Sequence, residues 1–102
     1  MKEQAIKYFK AEKYVEAVHD FKKCLNHDNL NIFYNASIWF NLGLSTLYLL
    51  NFLGYCKLNE KEEALNAFNK CIELKDDYVK AYFKRGEIRA SLNSFDQAIS
   101  DF

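Results

Sequence analysis

Three stretches of the sequence repeat one pattern of small, aliphatic and aromatic residues, and this repetition constrains the fold more than any other feature. In each stretch an alanine is followed directly by an aliphatic residue and, four positions after the alanine, by a phenylalanine. The two complete copies also carry a cysteine seven positions after the alanine. These spacings place the shared residues on one face of an α-helix, with the alanine where a neighbouring helix approaches closely. The stretches are Tyr14–Leu25, Lys61–Ile72 and Phe95–Phe102.

Each of these helices is preceded in the sequence by another amphipathic stretch, so the chain is predicted to consist of helix pairs. The chain has no proline and three glycines, which is a poor supply for the many turns of a β-sandwich or β-barrel. Paired helices that repeat along a chain stack into a solenoid. The predicted fold class is therefore an all-α solenoid of helix–turn–helix units. The first helices of the three pairs are predicted at Met1–Ala11, Tyr34–Leu58 and Val79–Leu92.

Two first helices carry a further motif, Trp39…Leu42-Gly43 and Tyr82…Arg85-Gly86, and Ala64 and Ala98 are 34 residues apart. By these motifs and this period the chain resembles the tetratricopeptide repeat (TPR) family over nearly its whole length. The resemblance implies one TPR domain across residues 1–102. Its repeats are expected at about 1–33, 34–78 and 79–102, and the third is incomplete because the chain ends inside its second helix.

The spacing of the second repeat departs from the family period. Gly43 and Gly86 are 43 residues apart, nine more than 34, and removal of residues 44–52 restores the period. Nine residues rotate a helix by about two and a half turns, so we expect a break or a looped-out segment near Asn51–Gly54. The nine residues are interpreted as an insertion, or as a short intron retained in the gene model. The alternative is a functional apolar patch or anchor.

The sequence argues against a membrane span, a metal site and a secreted protein. Residues 29–56 carry no charge, but polar residues and glycines interrupt this stretch and no basic cluster flanks one side. No apolar signal segment follows Met1. The cysteines are odd in number, form no CxxC pair and are expected to be small buried residues. We therefore expect no metal, no cofactor and a cytoplasmic location. The cysteines are Cys24, Cys56 and Cys71.

The charges balance overall but segregate between the two kinds of helix. The chain has 14 basic and 14 acidic residues, which argues against a generic nucleic-acid binder. The predicted first helices carry eight basic and two acidic residues, a net charge of +6. First helices line the concave groove of TPR proteins, so the resemblance implies a basic groove. Such a surface attracts an acidic, extended ligand.

Some TPR co-chaperones bind the two carboxylates at the end of a chaperone whose C-terminal sequence is Glu-Glu-Val-Asp. Three residues of this chain match their pattern outright, and a fourth keeps only the charge. By position in the repeats, the resemblance assigns this carboxylate-binding role to Lys2, Asn41, Lys80 and Lys84. Lys84 stands where the family has arginine, which keeps the charge but gives up bidentate hydrogen bonding. Ile6 stands where the family has an asparagine, so one amide donor is missing.

These features predict a protein–protein interaction module. The expected partner is the acidic C-terminal tail of a 70- or 90-kDa heat-shock chaperone, and the repeats look most like those of DnaJ-type co-chaperones. The alternatives are an adaptor that docks a different acidic partner, or a membrane-associated adaptor that uses the apolar insertion. We expect no enzymatic activity, because no nucleophile–base pair, glycine-rich phosphate loop or metal-ligand spacing occurs in the sequence.

Overall fold

The computed structural model describes residues 2–25, 31–53 and 58–91 of the chain. Over these ranges the chain forms five α-helices and no strand, which confirms the all-α prediction. Neighbouring helices pack on one another in chain order, α1 on α2, α2 on α3, α3 on α4 and α4 on α5. The predicted second helix of the third repeat, Phe95–Phe102, lies outside the described residues. The helices are α1 (Lys2–Lys10), α2 (Tyr14–Leu25), α3 (Ile32–Leu53), α4 (Leu58–Leu74) and α5 (Val79–Ser91).

A three-residue turn between α1 and α2 closes the first helical hairpin. Glu12 adopts a left-handed backbone conformation with φ of 61°. Its N–H donates to the carbonyl of Phe9 over 3.0 Å, and the N–H of Lys13 donates to the carbonyl of Tyr8 over 2.8 Å. This pair of bonds is a Schellman motif, which satisfies carbonyls at the end of α1 and reverses the chain into α2.

The repeated alanine, phenylalanine and cysteine form the buried face of each second helix. Ala17, Phe21 and Cys24 on α2 are at most 2% exposed, and they share a core with Ala5 of α1 and Ile38 of α3. The alanines lie where helices come close together, because a larger side chain would hold the helices apart. The repeat pattern therefore predicts this part of the core correctly.

The second core cluster repeats this arrangement one unit further along the chain. Ala64, Phe68 and Cys71 on α4 are fully buried and pack with Phe40 of α3 and Ala81 of α5. Gly43 on α3 brings the two helices of this hairpin together, since the ring of Phe68 occupies the space where a side chain would begin. The prediction that the cysteines are small buried residues is confirmed for Cys24 and Cys71, which are free thiols. Cys56 lies outside the described residues.

Helix α3 is continuous through residues 44–52, so most of the nine extra residues extend this helix. No proline interrupts it, and a loop would expose several leucines that a helix can bury in part. Ser45 and Leu50 are buried at 0% and 3% exposure. The helix ends at Leu53, within the range where we expected a break. Leu58, predicted as the end of this helix, instead begins α4.

Tyr48, within the predicted insertion, packs against the first hairpin. Its ring centroid lies 5.5 Å from that of Phe9 at the end of α1 and 6.0 Å from that of Tyr14 at the start of α2. The rings of Phe9 and Tyr14 are themselves 5.6 Å apart. The added turns of α3 therefore contribute to the contact between the first two helix pairs. Across the described ranges, no helix has the length and apolar character that a membrane span requires.

Candidate functional site

The predicted site residues lie on the first helices of the three pairs, α1, α3 and α5. Helix α3 contacts Lys2 of α1 and Tyr78, which precedes α5. At one end of α3, the Lys2 ammonium of α1 lies 5.3 Å from the ring centroid of Tyr34. Further along α3, the ring of Phe40 lies 5.2 Å from that of Tyr78, the residue that precedes α5. Helix α3 therefore contacts a residue of α1 and the residue that precedes α5, and we take the exposed parts of these three helices as the candidate surface.

Lys2 is held at the N-terminal end of this surface by an aromatic ring. It is half-buried, and its position over the face of Tyr34 is a cation–π interaction. Burial, together with the neighbouring Cys24 and Glu3, raises the pKa of the Tyr34 hydroxyl, so this ring stays neutral. The contact limits the positions that the Lys2 ammonium can take up.

Asn41 lies on the same face of α3 as Tyr34, about two turns further along. Its amide donates to the Ser37 hydroxyl over 3.5 Å, which is a long and weak bond. Ser37 in turn interacts with the hydroxyl of Tyr78, whose pKa is raised mainly by burial. Asn41 is half-buried, so its amide is accessible to a ligand while its orientation is restrained.

Lys80 and Lys84 lie one turn apart on α5, so both side chains project from the same side of this helix. Lys80 is exposed, and no ion pair to it occurs within the described ranges. The ammonium of Lys84 lies 3.4 Å from a carboxylate oxygen of Glu87, and the two side chains are 26% and 40% exposed. Glu87 therefore neutralises part of the charge that Lys84 would present to a ligand.

No hydrogen bond or ion pair joins the four predicted residues to one another in the part of the chain that the structure describes. Each is held by a different neighbour: Lys2 by Tyr34, Asn41 by Ser37, and Lys84 by Glu87. Sequence reasoning missed all three neighbours, although the spacing of Lys84 and Glu87 was a visible signal for an ion pair. Ile6, which occupies the position of the missing amide, packs against the first core cluster.

The described first helices remain strongly basic. Together α1, α3 and α5 carry seven basic and two acidic residues, a net charge of +5, and α3 itself is uncharged. The sequence count of +6 included Lys57, which lies outside the described residues. On α5, the Arg85 guanidinium donates to the Asn69 side chain over 3.1 Å and lies 5.1 Å from the ring centroid of Tyr82. Arg85 therefore serves the packing of α5 on α4.

Ammonium groups and an amide can bind carboxylates, so the chemistry of this surface suits an acidic peptide. No group of three or more histidine, cysteine or acidic side chains that could hold a metal ion occurs among the described residues. Burial raises the pKa of the Cys71 thiol from 9.0 to about 12, so this thiol is not a ready nucleophile.

Comparisons with known proteins agree with the repeat pattern. The family model described as Tetratricopeptide repeat matches residues 55–78. DnaJ homolog subfamily C member 7 of Mus musculus is 29% identical over 99% of this chain. Peptidyl-prolyl cis-trans isomerase FKBP4 of Homo sapiens is 32% identical over the whole chain, and serine/threonine-protein phosphatase 5 of Mus musculus is 28% identical over 91%. The chain spans 19%, 23% and 19% of these relatives, about a fifth of their length.

The fold is similar to that of a solved protein. The crystal structure of MamA matches 95% of this chain and 49% of the MamA chain, with a TM-score of 0.75 and 24% sequence identity. At this identity the likeness shows the fold alone, a stack of helical hairpins. Repeat pattern, helical hairpins and the family match over residues 55–78 together show that the chain contains a tetratricopeptide repeat.

Proposed function

We propose that this domain binds the acidic C-terminal tail of a partner protein on the basic surface of α1, α3 and α5. The observation that carries the proposal is the pair of lysines one turn apart on α5, Lys80 and Lys84. The other two first helices add Asn41 on α3 and Lys2 on α1. The proposed partner is a 70- or 90-kDa heat-shock chaperone, whose tail ends in two adjacent carboxylates. A chaperone tail as ligand implies a cytoplasmic location.

The three lysines differ in exposure and in their existing contacts, so we expect them to contribute unequally to binding. Lys80 is exposed and can reach a carboxylate without breaking an existing ion pair. Lys84 must exchange Glu87 for the ligand, which reduces its net contribution. Lys2 is prepositioned over Tyr34, so it loses less side-chain entropy on binding. We therefore expect Lys80 to be the largest contributor among the three lysines.

The relatives support a binding role rather than a catalytic one for these residues. Those relatives include a DnaJ homolog and a peptidyl-prolyl isomerase, and this chain matches about a fifth of each. A fifth of an enzyme need not include its catalytic part. The shared portion is a helical repeat, and repeats of this kind present extended surfaces to partners.

A peptide titration tests the proposal. By calorimetry, we expect a peptide ending in Glu-Glu-Val-Asp to bind, and the same peptide with an amidated C-terminus to bind at least about tenfold more weakly, since the charge of the terminal carboxylate is lost. Lys80→Ala should weaken binding, whereas Lys70→Ala, an exposed lysine on α4, should leave it unchanged. Equal binding of the free and amidated peptides would refute recognition of the terminal carboxylate.

A second candidate, an adaptor for a different acidic partner, is favoured by Ile6. This side chain packs against the core where a carboxylate-binding amide is expected, so the site has one donor fewer. An acidic peptide whose charges lie inside the sequence, away from the C-terminus, discriminates the two. If this peptide binds as tightly as the C-terminal peptide, and Lys80→Ala weakens both by the same factor, the domain is an adaptor for a different acidic partner.

A further inference from the structure

A second groove, with the opposite charge, lies at the start of α3 and the end of α4. It has a volume of about 500 Å³. Ile32 and Phe33 form one wall in the first turn of α3, and Leu74 forms the other at the last residue of α4. Ile32 precedes Tyr34 by two residues, so it lies on the opposite side of α3 from the proposed peptide-binding face. The remaining lining residues are Glu73, Lys75, Asp76 and Asp77.

Three large apolar side chains in this groove are exposed to solvent. Phe33 is 67% exposed, Ile32 is 53% exposed and Leu74 is 38% exposed. Apolar side chains that cluster in a concave surface favour burial by a partner, whereas single exposed apolar residues need no such explanation. The groove thus offers an anchor site for one apolar side chain of a ligand.

The charges around these apolar residues are predominantly acidic. Glu73, Asp76 and Asp77 are exposed, against one lining cation, Lys75. The ammonium of Lys75 is bound by the Asp77 carboxylate, which lowers the pKa of Asp77 and keeps it ionised. Glu73 pairs with Lys70 over 3.5 Å, an ion pair that is largely solvated. The Asp76 carboxylate forms no ion pair within the described ranges.

Two further features favour a cation in this groove. The carbonyl end of α4 adds partial negative charge beside Leu74, while the amide end of α3 is capped by the Asn31 side chain, which accepts from the N–H of Tyr34 over 3.0 Å. The Lys75 ammonium already lies 5.3 Å from the ring centroid of Phe33. The exposed remainder of this ring can receive a second cation from a ligand.

We propose that this groove docks a cationic segment of another protein, with a branched aliphatic or aromatic side chain between Phe33 and Leu74 and a lysine or arginine at Asp76. The segment is opposite in charge to the acidic tail proposed for α1, α3 and α5. The two surfaces lie on different faces of α3, so both ligands can bind at once. The domain then joins a basic segment of one protein to the acidic tail of another.

Fluorescence anisotropy tests the proposal on the whole chain. The probe is a short labelled peptide with one central phenylalanine between pairs of arginines, and the comparison peptide carries glutamates instead. We expect the arginine peptide to bind, and the glutamate peptide not to bind in this groove. Phe33→Ala and Asp76→Lys should each weaken binding at least about fivefold. Val15→Ala changes a similarly exposed apolar residue on α2; this control variant should leave the affinity unchanged.

Two further measurements separate this proposal from its alternatives. Lys80→Ala should leave the arginine peptide unaffected, and Phe33→Ala should leave the acidic C-terminal peptide unaffected, so either site can fail without the other. Circular dichroism establishes that the Phe33→Ala chain is folded. Arginine-peptide binding that survives both groove variants overturns the proposal. The proposal is also overturned if sedimentation shows a dimer that Phe33→Ala dissociates, because the groove would then bind a second copy of this chain.

Discussion

The ring of Phe68 on α4 lies directly against the α-carbon of Gly43 on α3, so that a methyl group added to this glycine would come within 2.8 Å of two ring carbons. Phe68 is fully buried and packs with Phe40, whose ring centroid is 5.6 Å away. The ring therefore has little room to move. The glycine sets how closely the two helices of the second hairpin approach each other.

Gly43→Ala should destabilise the protein by about 1–2 kcal/mol, because the cost of overpacking exceeds the gain in helix propensity. Urea denaturation measures this change. The double variant Gly43→Ala with Phe68→Leu should lose less stability than the sum of the losses in the two single variants. Purely additive losses would mean that the helices separate instead of compressing the ring.

Two neighbouring hydroxyl groups on α3 should respond differently to their removal. The Ser45 hydroxyl is buried and has no hydrogen-bond partner among the described residues, whereas the Thr46 hydroxyl donates to the Leu42 carbonyl over 2.9 Å. Ser45→Ala should therefore raise the free energy of unfolding by about 1 kcal/mol. Thr46→Val, the matched control, should not. A loss of stability in Ser45→Ala would reveal a bound water at this hydroxyl.

Glu12→Gly should stabilise the first hairpin. Glu12 holds a φ of 61°, which costs a non-glycine residue about 1 kcal/mol, and glycine adopts this conformation without strain. We expect a rise in melting temperature, reduced in part by the greater entropy of glycine in the unfolded chain. Glu16→Gly, within α2, should instead lower the melting temperature, since its backbone is helical.

The stability of the protein should fall above pH 9 in part through Cys71. Burial raises the pKa of this thiol from 9.0 to about 12. Between these values the unfolded chain releases a proton that the folded chain retains, so the free energy of unfolding decreases as pH rises. Cys71→Ala removes this contribution. The stability gap between the natural chain and this variant should narrow above pH 9, and a constant gap would contradict the assignment.

Glu87→Gln should strengthen binding of the acidic C-terminal peptide by about twofold to fivefold at low salt, because Lys84 loses a competing carboxylate. Calorimetry measures the affinity. Glu73→Gln removes an ion pair of the same spacing on α4, between Lys70 and Glu73, and should leave the affinity unchanged. Unchanged affinity in Glu87→Gln would mean that Lys84 does not contact the peptide.

Much of the core could be predicted from sequence because the repeat pattern has the period of a helix. Ala17, Phe21 and Cys24 lie on one face by spacing alone, and no knowledge of the neighbouring helix was needed to place them inside. The same holds for the equivalent residues of α4. Periodicity identifies which face is buried, and burial follows from the hydrophobic effect.

Features that depend on contacts between helices could not be predicted in this way. The repeat period alone marks residues 44–52 as an insertion. The chain can either continue these apolar residues as one helix, which buries part of them, or expose them to water in a loop, and the helix is more stable. At the candidate site, the position of Lys2 over Tyr34 depends on the angle at which α1 crosses α3. The spacing of residues along one helix does not determine that angle.

The contact of Tyr48 with Phe9 and Tyr14 has a consequence for the order in which the repeats unfold. In a linear array each repeat is stabilised by its neighbours, so a stronger junction merges two repeats into one cooperative unit. Here the first and second repeats are joined at one end of α1 by Lys2 and Tyr34, and at the other end by the three aromatic rings. Amide hydrogen exchange should therefore find α1, α2 and α3 opening together, and α5 opening before them.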